Sequence, residues 1–188
     1  MYFQFGTTKL IEAAGVLLKC RPNRRMSYLR LLKLLYIADR ESLKETGWPV
    51  VGTEPVAMEH GPVHSKVYDL VKGGGRISSQ ELEHWSSHIN TDGHDVVLAA
   101  DPGTDSLSPY EMEKLERVCL RYEGIDRFGV SDLTHDFPEW AKNYRQGTSR
   151  PIPLEDILWA IGRTGDCEEI LADAAEVNAL NNLLGVSL

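Results

Sequence analysis

The chain has 188 residues, 20 basic and 28 acidic, a formal net charge of −8 and 42% hydrophobic residues. That balance excludes global disorder, suits one compact domain with its own core, and argues against broad non-specific binding to nucleic acid, which needs a concentrated positive surface. No apolar run approaches the roughly 18 residues that span a bilayer, and the N-terminal Met-Tyr-Phe-Gln-Phe-Gly lacks a signal-peptide pattern, so the chain reads as cytoplasmic.

The elements read mostly as helix. Over residues 8–19, Leu10, Ile11, Ala14, Leu17 and Leu18 recur at helical spacing, with Thr7 or Thr8 available as N-cap. Arg21-Pro22-Asn23 breaks this helix, and Ser27 opens a longer one to about residue 45. Its apolar band is wide enough to predict burial on more than one side. Thr46-Gly47-Trp48-Pro49 ends it, and residues 50–58 read as an extended connector. Gly61-Pro62 predicts a third helix with proline at its first position, stopped after Lys72 by Gly73-Gly74-Gly75. Residues 85–90 and 95–99 flank the turn pair Asp92-Gly93 and predict a small β-hairpin. Ser108-Pro109-Tyr110-Glu111 combines a capping box with a first-turn proline and starts a helix that runs to Gly124. Shorter helices follow at 130–135, 138–144 and 154–161, and a final one at 166–184. The fold expected is mainly α: one compact helical domain over 1–188, with a small β-hairpin near residues 85–99.

Charge is unevenly spread. Residues 1–75 carry 11 basic and 7 acidic side chains, whereas residues 76–188 carry 9 basic and 21 acidic. Lys19, Arg21, Arg24, Arg25, Arg30 and Lys33 form a stretch with no acid between them. It reads either as a solvated helix junction or as an electrostatic docking patch for an acidic partner, with Arg24 and Arg25 as its candidates.

The chemical inventory is thin. Cys20, Cys119 and Cys167 are odd in number and widely spaced, which fits reduced thiols rather than a disulfide framework or a zinc site. His60 and His64 are four apart, but Gly61-Pro62 separates them, so one shared helix face does not follow and no metal is expected. No Gly-x-Ser-x-Gly elbow surrounds a serine, and Gly73-Gly74-Gly75 follows a helix without the Lys-Ser/Thr of a phosphate loop. No catalytic residue and no cofactor are expected.

The ordered motifs go further. Lys33-Leu34-Leu35-Tyr36-Ile37-Ala38-Asp39, then Gly47-Trp48-Pro49-Val50-Val51-Gly52, then His60-Gly61-Pro62-Val63-His64-Ser65-Lys66-Val67-Tyr68, and later Leu133-Thr134-His135 with Trp140, closely resemble the Panacea domain of SocA-like antitoxins, a domain shared with phage-associated proteins. The resemblance covers about residues 8–145, leaving 146–188 as a helical extension of the same domain. Asp136-Phe137-Pro138-Glu139 makes a longer insertion between His135 and Trp140 than the family pattern leads one to expect.

The resemblance implies a protein that neutralises a cognate toxin, usually encoded beside it, by direct contact or by delivery to a protease, and not by chemistry. Leu34, Leu35, Val63, Val67 and Trp140 read as fold maintenance. Tyr36, His64, Lys66 and Tyr68, whose polar ends face outward on the helical reading, join Arg24 and Arg25 as candidate partner contacts. The competing readings are an enzyme built around His60, His64 and His135, or a phage-associated regulatory protein.

Overall fold

The structure is a computed structural model and describes residues 2–184. It is mainly α, 56% helical, with two small antiparallel sheets. The hub is α2 (Tyr28–Thr46), capped at its start by the Ser27 hydroxyl, which accepts from the Arg30 amide at 3.2 Å, and closed by Gly47 in the left-handed conformation at φ 84°. Residues 30–39 are buried without a break, as the wide apolar band predicts. They are enclosed by α1 (Thr7–Lys19), α5 (Pro109–Arg121), α6 (Arg127–His135) and a hairpin of β2 (Pro55–Met58) and β3 (Gly61–His64).

The remaining elements are β1 (Arg25–Ser27), α3 (Ser65–Lys72), α4 (Ser79–His88), β4 (Ile89–Asp92), β5 (Asp95–Leu98), α7 (Pro138–Asn143), β6 (Arg150–Pro151), α8 (Leu154–Ala160) and α9 (Cys167–Leu184). One sheet has the order β1-β5-β4, the other β3-β2-β6. The larger apolar cluster surrounds α2. A second cluster joins Tyr2 and Phe3 to Leu43, Ile152, Leu158 and Ile170, so the C-terminal extension packs on the N-terminal residues. Asn178 secures that contact by accepting from the Gln4 amide at 3.0 Å and donating to the Tyr2 carbonyl at 2.9 Å.

Three expectations are corrected. The third helix begins at Ser65, because residues 61–64 are strand, pairing Val56 with Val63 and Ala57 with Pro62. Proline lacks an N–H and is therefore as well suited to an edge strand as to a first helical turn. Residues 85–88 belong to α4, and only Ile89–Asp92 forms the first hairpin strand. The Ser78 hydroxyl and Glu81 carboxylate make a full capping box for α4, a Ser-x-x-Glu signal visible in the sequence. Helix α1 is capped at Gly6, not by a threonine, and the Thr7 hydroxyl donates instead to Glu81 at 2.9 Å. By contrast α5, α8 and α9 lie within a residue or two of their expected limits, apart from the end of α5 at Arg121.

Candidate functional site

On α2, Lys33, Tyr36, Asp39 and Arg40 lie at helical spacing, facing the β2–β3 hairpin and the α6–α7 segment. Together they reach three separate parts of the chain.

Asp39 holds the segment that leaves α2. Its Oδ1 accepts from the Val50 and Val51 amides at 2.9 and 2.8 Å, and its Oδ2 accepts from the Gly52 amide at 3.2 Å and from the Tyr2 hydroxyl at 3.4 Å. The same Oδ2 lies 3.3 Å from His64 Nε2, off hydrogen-bonding alignment, while His64 Nδ1 donates to the Thr53 carbonyl at 2.8 Å. Burial raises the Asp39 carboxyl above its ordinary value, with His64 and the three amides pulling the other way.

Tyr36 and Arg40 converge on Glu139, which is fully buried. The Tyr36 hydroxyl donates to Oε1 at 3.0 Å and Arg40 Nε donates to the same oxygen at 2.7 Å. Phe137 lies beneath the Arg40 guanidinium at 4.3 Å and beside the Tyr36 ring at 6.1 Å. The inserted Asp136-Phe137-Pro138-Glu139 segment thus supplies the partners of α2.

The hairpin turn is strapped from both sides. Lys33 is buried and donates to the Pro62 carbonyl at 2.8 Å, and burial holds its amine well below the ordinary lysine range. The Ser131 hydroxyl of α6 donates to the His60 carbonyl at 2.7 Å, and Trp140 Nε1 of α7 donates to the Met58 carbonyl at 2.9 Å. Gly61 has φ 93°, and a β-carbon there would strike Thr134 Oγ1 and come within 2.9 Å of Lys33 Nζ. Gly61→Ala is expected to lower stability by about 2 kcal/mol in urea melts, and Thr134→Ala in the same chain should recover part of that loss.

The structure sorts the sequence candidates. Tyr36 and His64 are 1% and 0% exposed, so their outward orientation is corrected: the hairpin and α6–α7 cover that face of α2. Lys66 and Tyr68 on α3 are partly exposed, with Lys66 ion-paired to Glu81 at 2.5 Å. Glu81 is held at about 2: burial opposes its ionisation, but Lys66, Ser78 and Thr7 outweigh it. The basic stretch also divides. Arg30 and Lys33 are buried, Lys19 pairs with Asp101, Arg21 with Glu123, and exposed Arg25 with Asp92 and Asp95. Arg24 is exposed, at φ 48°. His60 is exposed, His64 lies against Asp39, and His135 stacks on Trp140 at 4.4 Å between centroids. Among the described residues no three His, Cys, Asp or Glu side chains gather as a metal site would require, and no helix is long and apolar enough to cross a membrane.

The sequence reading singled out neither Asp39, Arg40 nor Glu139 as functional. Asp39 closes the Lys33-to-Asp39 run and Glu139 sits in the insertion, but charge alone does not announce a buried acceptor.

The quoted motifs are therefore halves of one assembly, α2 and the hairpin on one side and α6–α7 on the other. Comparison with curated proteins and with solved structures returns no match. The antitoxin SocA-like family, Panacea domain, matches residues 31–141, a stretch that includes the strapped hairpin and both sides of its polar interior. The chain belongs to the antitoxin SocA-like family and carries its Panacea domain.

Proposed function

We propose that this chain neutralises a toxin encoded by a neighbouring gene by holding it in a stoichiometric complex, without turnover. The family match over residues 31–141 carries this reading. The burial of the motif side chains supports it: Tyr36, Asp39, His64 and Glu139 are each at most 1% exposed, which suits groups that position backbone better than groups that meet a substrate. On this reading Lys66 and Tyr68 contact the partner, with Arg24 and Arg25 steering its approach, while Tyr36 and His64 act from beneath by holding the hairpin that leads into α3.

The test is expression of the neighbouring reading frame alone and together with this chain. The neighbour alone should arrest growth, co-expression should restore it, and the two proteins should co-purify at a fixed ratio. Lys66→Ala with Tyr68→Ala should weaken the complex at least roughly tenfold while the chain still melts cooperatively. A partner that disappears faster when bound assigns the mode to delivery to a protease. A neighbour that is harmless alone, or rescue with neither a complex nor a shortened partner lifetime, overturns the antitoxin reading.

A further inference from the structure

A bowl of about 330 Å³ opens beside the N-terminal half of α2. Leu29 and Leu32 of α2, Met58 and Val63 of the hairpin, Tyr68 of α3 and Phe128 of α6 form its apolar walls. Phe128 stands at the lip with 55% of its surface in water, a large ring for which the fold provides no cover. Arg127, His60 and His94 line the same bowl, with Glu59 as the acid among them. Arg127 rests over the Phe128 ring at 4.8 Å, and Lys72 lies 4.0 Å from the Tyr28 ring and 5.8 Å from that of Tyr68.

Neither Arg127 nor Lys72 pairs with a carboxylate among the described residues, so both charges are open to an acidic partner. In a chain of net charge −8, these two cations lie on aromatic faces beside one apolar opening. A large apolar side chain would fill the bowl, and carboxylates on either side of it would meet cations that have no acid of their own.

We propose that this bowl is the anchor socket for the partner protein, taking one aromatic side chain from an acidic segment of the toxin. The identity of the partner rests on the antitoxin reading above; the chemistry of the socket rests on the bowl. A polynucleotide fits less well, because the chain's net charge of −8 repels an extended polyphosphate.

The experiment is an NMR titration of the full chain with the peptide acetyl-Asp-Glu-Trp-Glu-Asp-amide and with its counterpart acetyl-Lys-Lys-Trp-Lys-Lys-amide. The acidic peptide should give saturable shifts centred on Leu29, Val63, Tyr68 and Phe128, and bind about tenfold more tightly than the basic one. Lys72→Glu with Arg127→Glu should remove that preference, and Leu29→Trp, which fills the bowl from a partly exposed position, should abolish saturation without lowering the melting temperature. Equal binding of the two peptides, no saturable shift with the acidic one, or unchanged binding to the Leu29→Trp chain overturns the socket. So does a ten-residue oligothymidylate that perturbs the same residues more strongly than the acidic peptide. If the toxin binds the wild-type and Leu29→Trp chains alike, the socket fails and the antitoxin reading stands; if no toxin binds the wild-type chain, that reading fails and the peptide still judges the bowl.

Discussion

Asp39→Ala should lower the melting temperature by roughly 10 °C, from a loss of about 3–5 kcal/mol in a chain of this size. The substitution strips the acceptor from the amides of Val50, Val51 and Gly52, all in buried residues, and each buried donor left without a partner costs about 1–3 kcal/mol before water or rearrangement relieves it. It also removes the carboxylate that faces His64 and accepts from Tyr2, and so loosens the link between α2, the hairpin and the N-terminal residues. Asp39→Asn separates acceptor loss from charge loss. An amide oxygen can keep the bonds to Val50 and Val51, but the amide nitrogen cannot accept from Gly52, so the deficit should be smaller than for alanine. Its pH dependence has a definite sign. Because burial raises the Asp39 carboxyl, the native chain binds that proton more tightly than the unfolded chain does. Asp39 then contributes most below the ordinary aspartate value of about 3.9, and this contribution declines as pH rises through the raised native value. The stability gap between wild type and Asp39→Asn should narrow as pH is raised through that window, measured by urea melts at a series of pH values. A gap that widens with rising pH would show that the carboxylate is stabilised, not penalised, by its surroundings.

What could be read from the sequence and what could not divide along physical lines. Helices α2, α5 and α9 were legible because their signals are local: Ser27 and Ser108 as caps, Gly47 as a left-handed stop, and apolar side chains at helical spacing. Pro62 was ambiguous because the same missing N–H suits an edge strand and a helix start, and only the pairing of Ala57 with Pro62, set by the fold, decides between them. Lys33 and Arg30 looked like surface charge because burial of a cation depends on acceptors far along the chain. Lys33 finds the Pro62 carbonyl, and Arg30 finds the carbonyls of Tyr122 and Ile125. Tyr36 and His64 were placed at the surface for the same reason: helical spacing gives the direction of a side chain but not what lies in that direction. The order of the family motifs was legible; that α6–α7 closes over the hairpin was not.

This closure relates the buried and exposed parts of the molecule. The interior groups set where β3 ends and α3 begins, and α3 carries Lys66, Tyr68 and Lys72. Damage at the polar interior should therefore reach the bowl through Met58, Val63 and Lys33, even though Tyr36, Asp39 and Glu139 do not line it.

Glu139→Ala tests that coupling. The carboxylate accepts from the Tyr36 hydroxyl and from Arg40, and it is fully buried on a six-residue helix with few other ties to α2. Removing it leaves a buried hydroxyl unpaired and a guanidinium with only part of its surface in water, at an expected cost of about 3 kcal/mol. Tyr36→Phe alone should cost less, about 1 kcal/mol, since it removes the donor together with its need for a partner. In the double variant the two losses should fall short of additivity by about 1 kcal/mol, because the hydroxyl that Glu139→Ala strands is no longer there. Full additivity would mean that the Tyr36 contact contributes nothing to stability and that Arg40 alone holds the segment. Native-state hydrogen exchange supplies the second readout. In Glu139→Ala the amides of α7 and of Ala57 and Val63 in the hairpin should exchange faster, while those of α1 and α5 on the opposite side of α2 keep their protection. Uniform loss across all of them would make Glu139 a general stabiliser; loss confined to α7 would break the proposed link from the insertion through Trp140 and Met58 to the face that meets the partner.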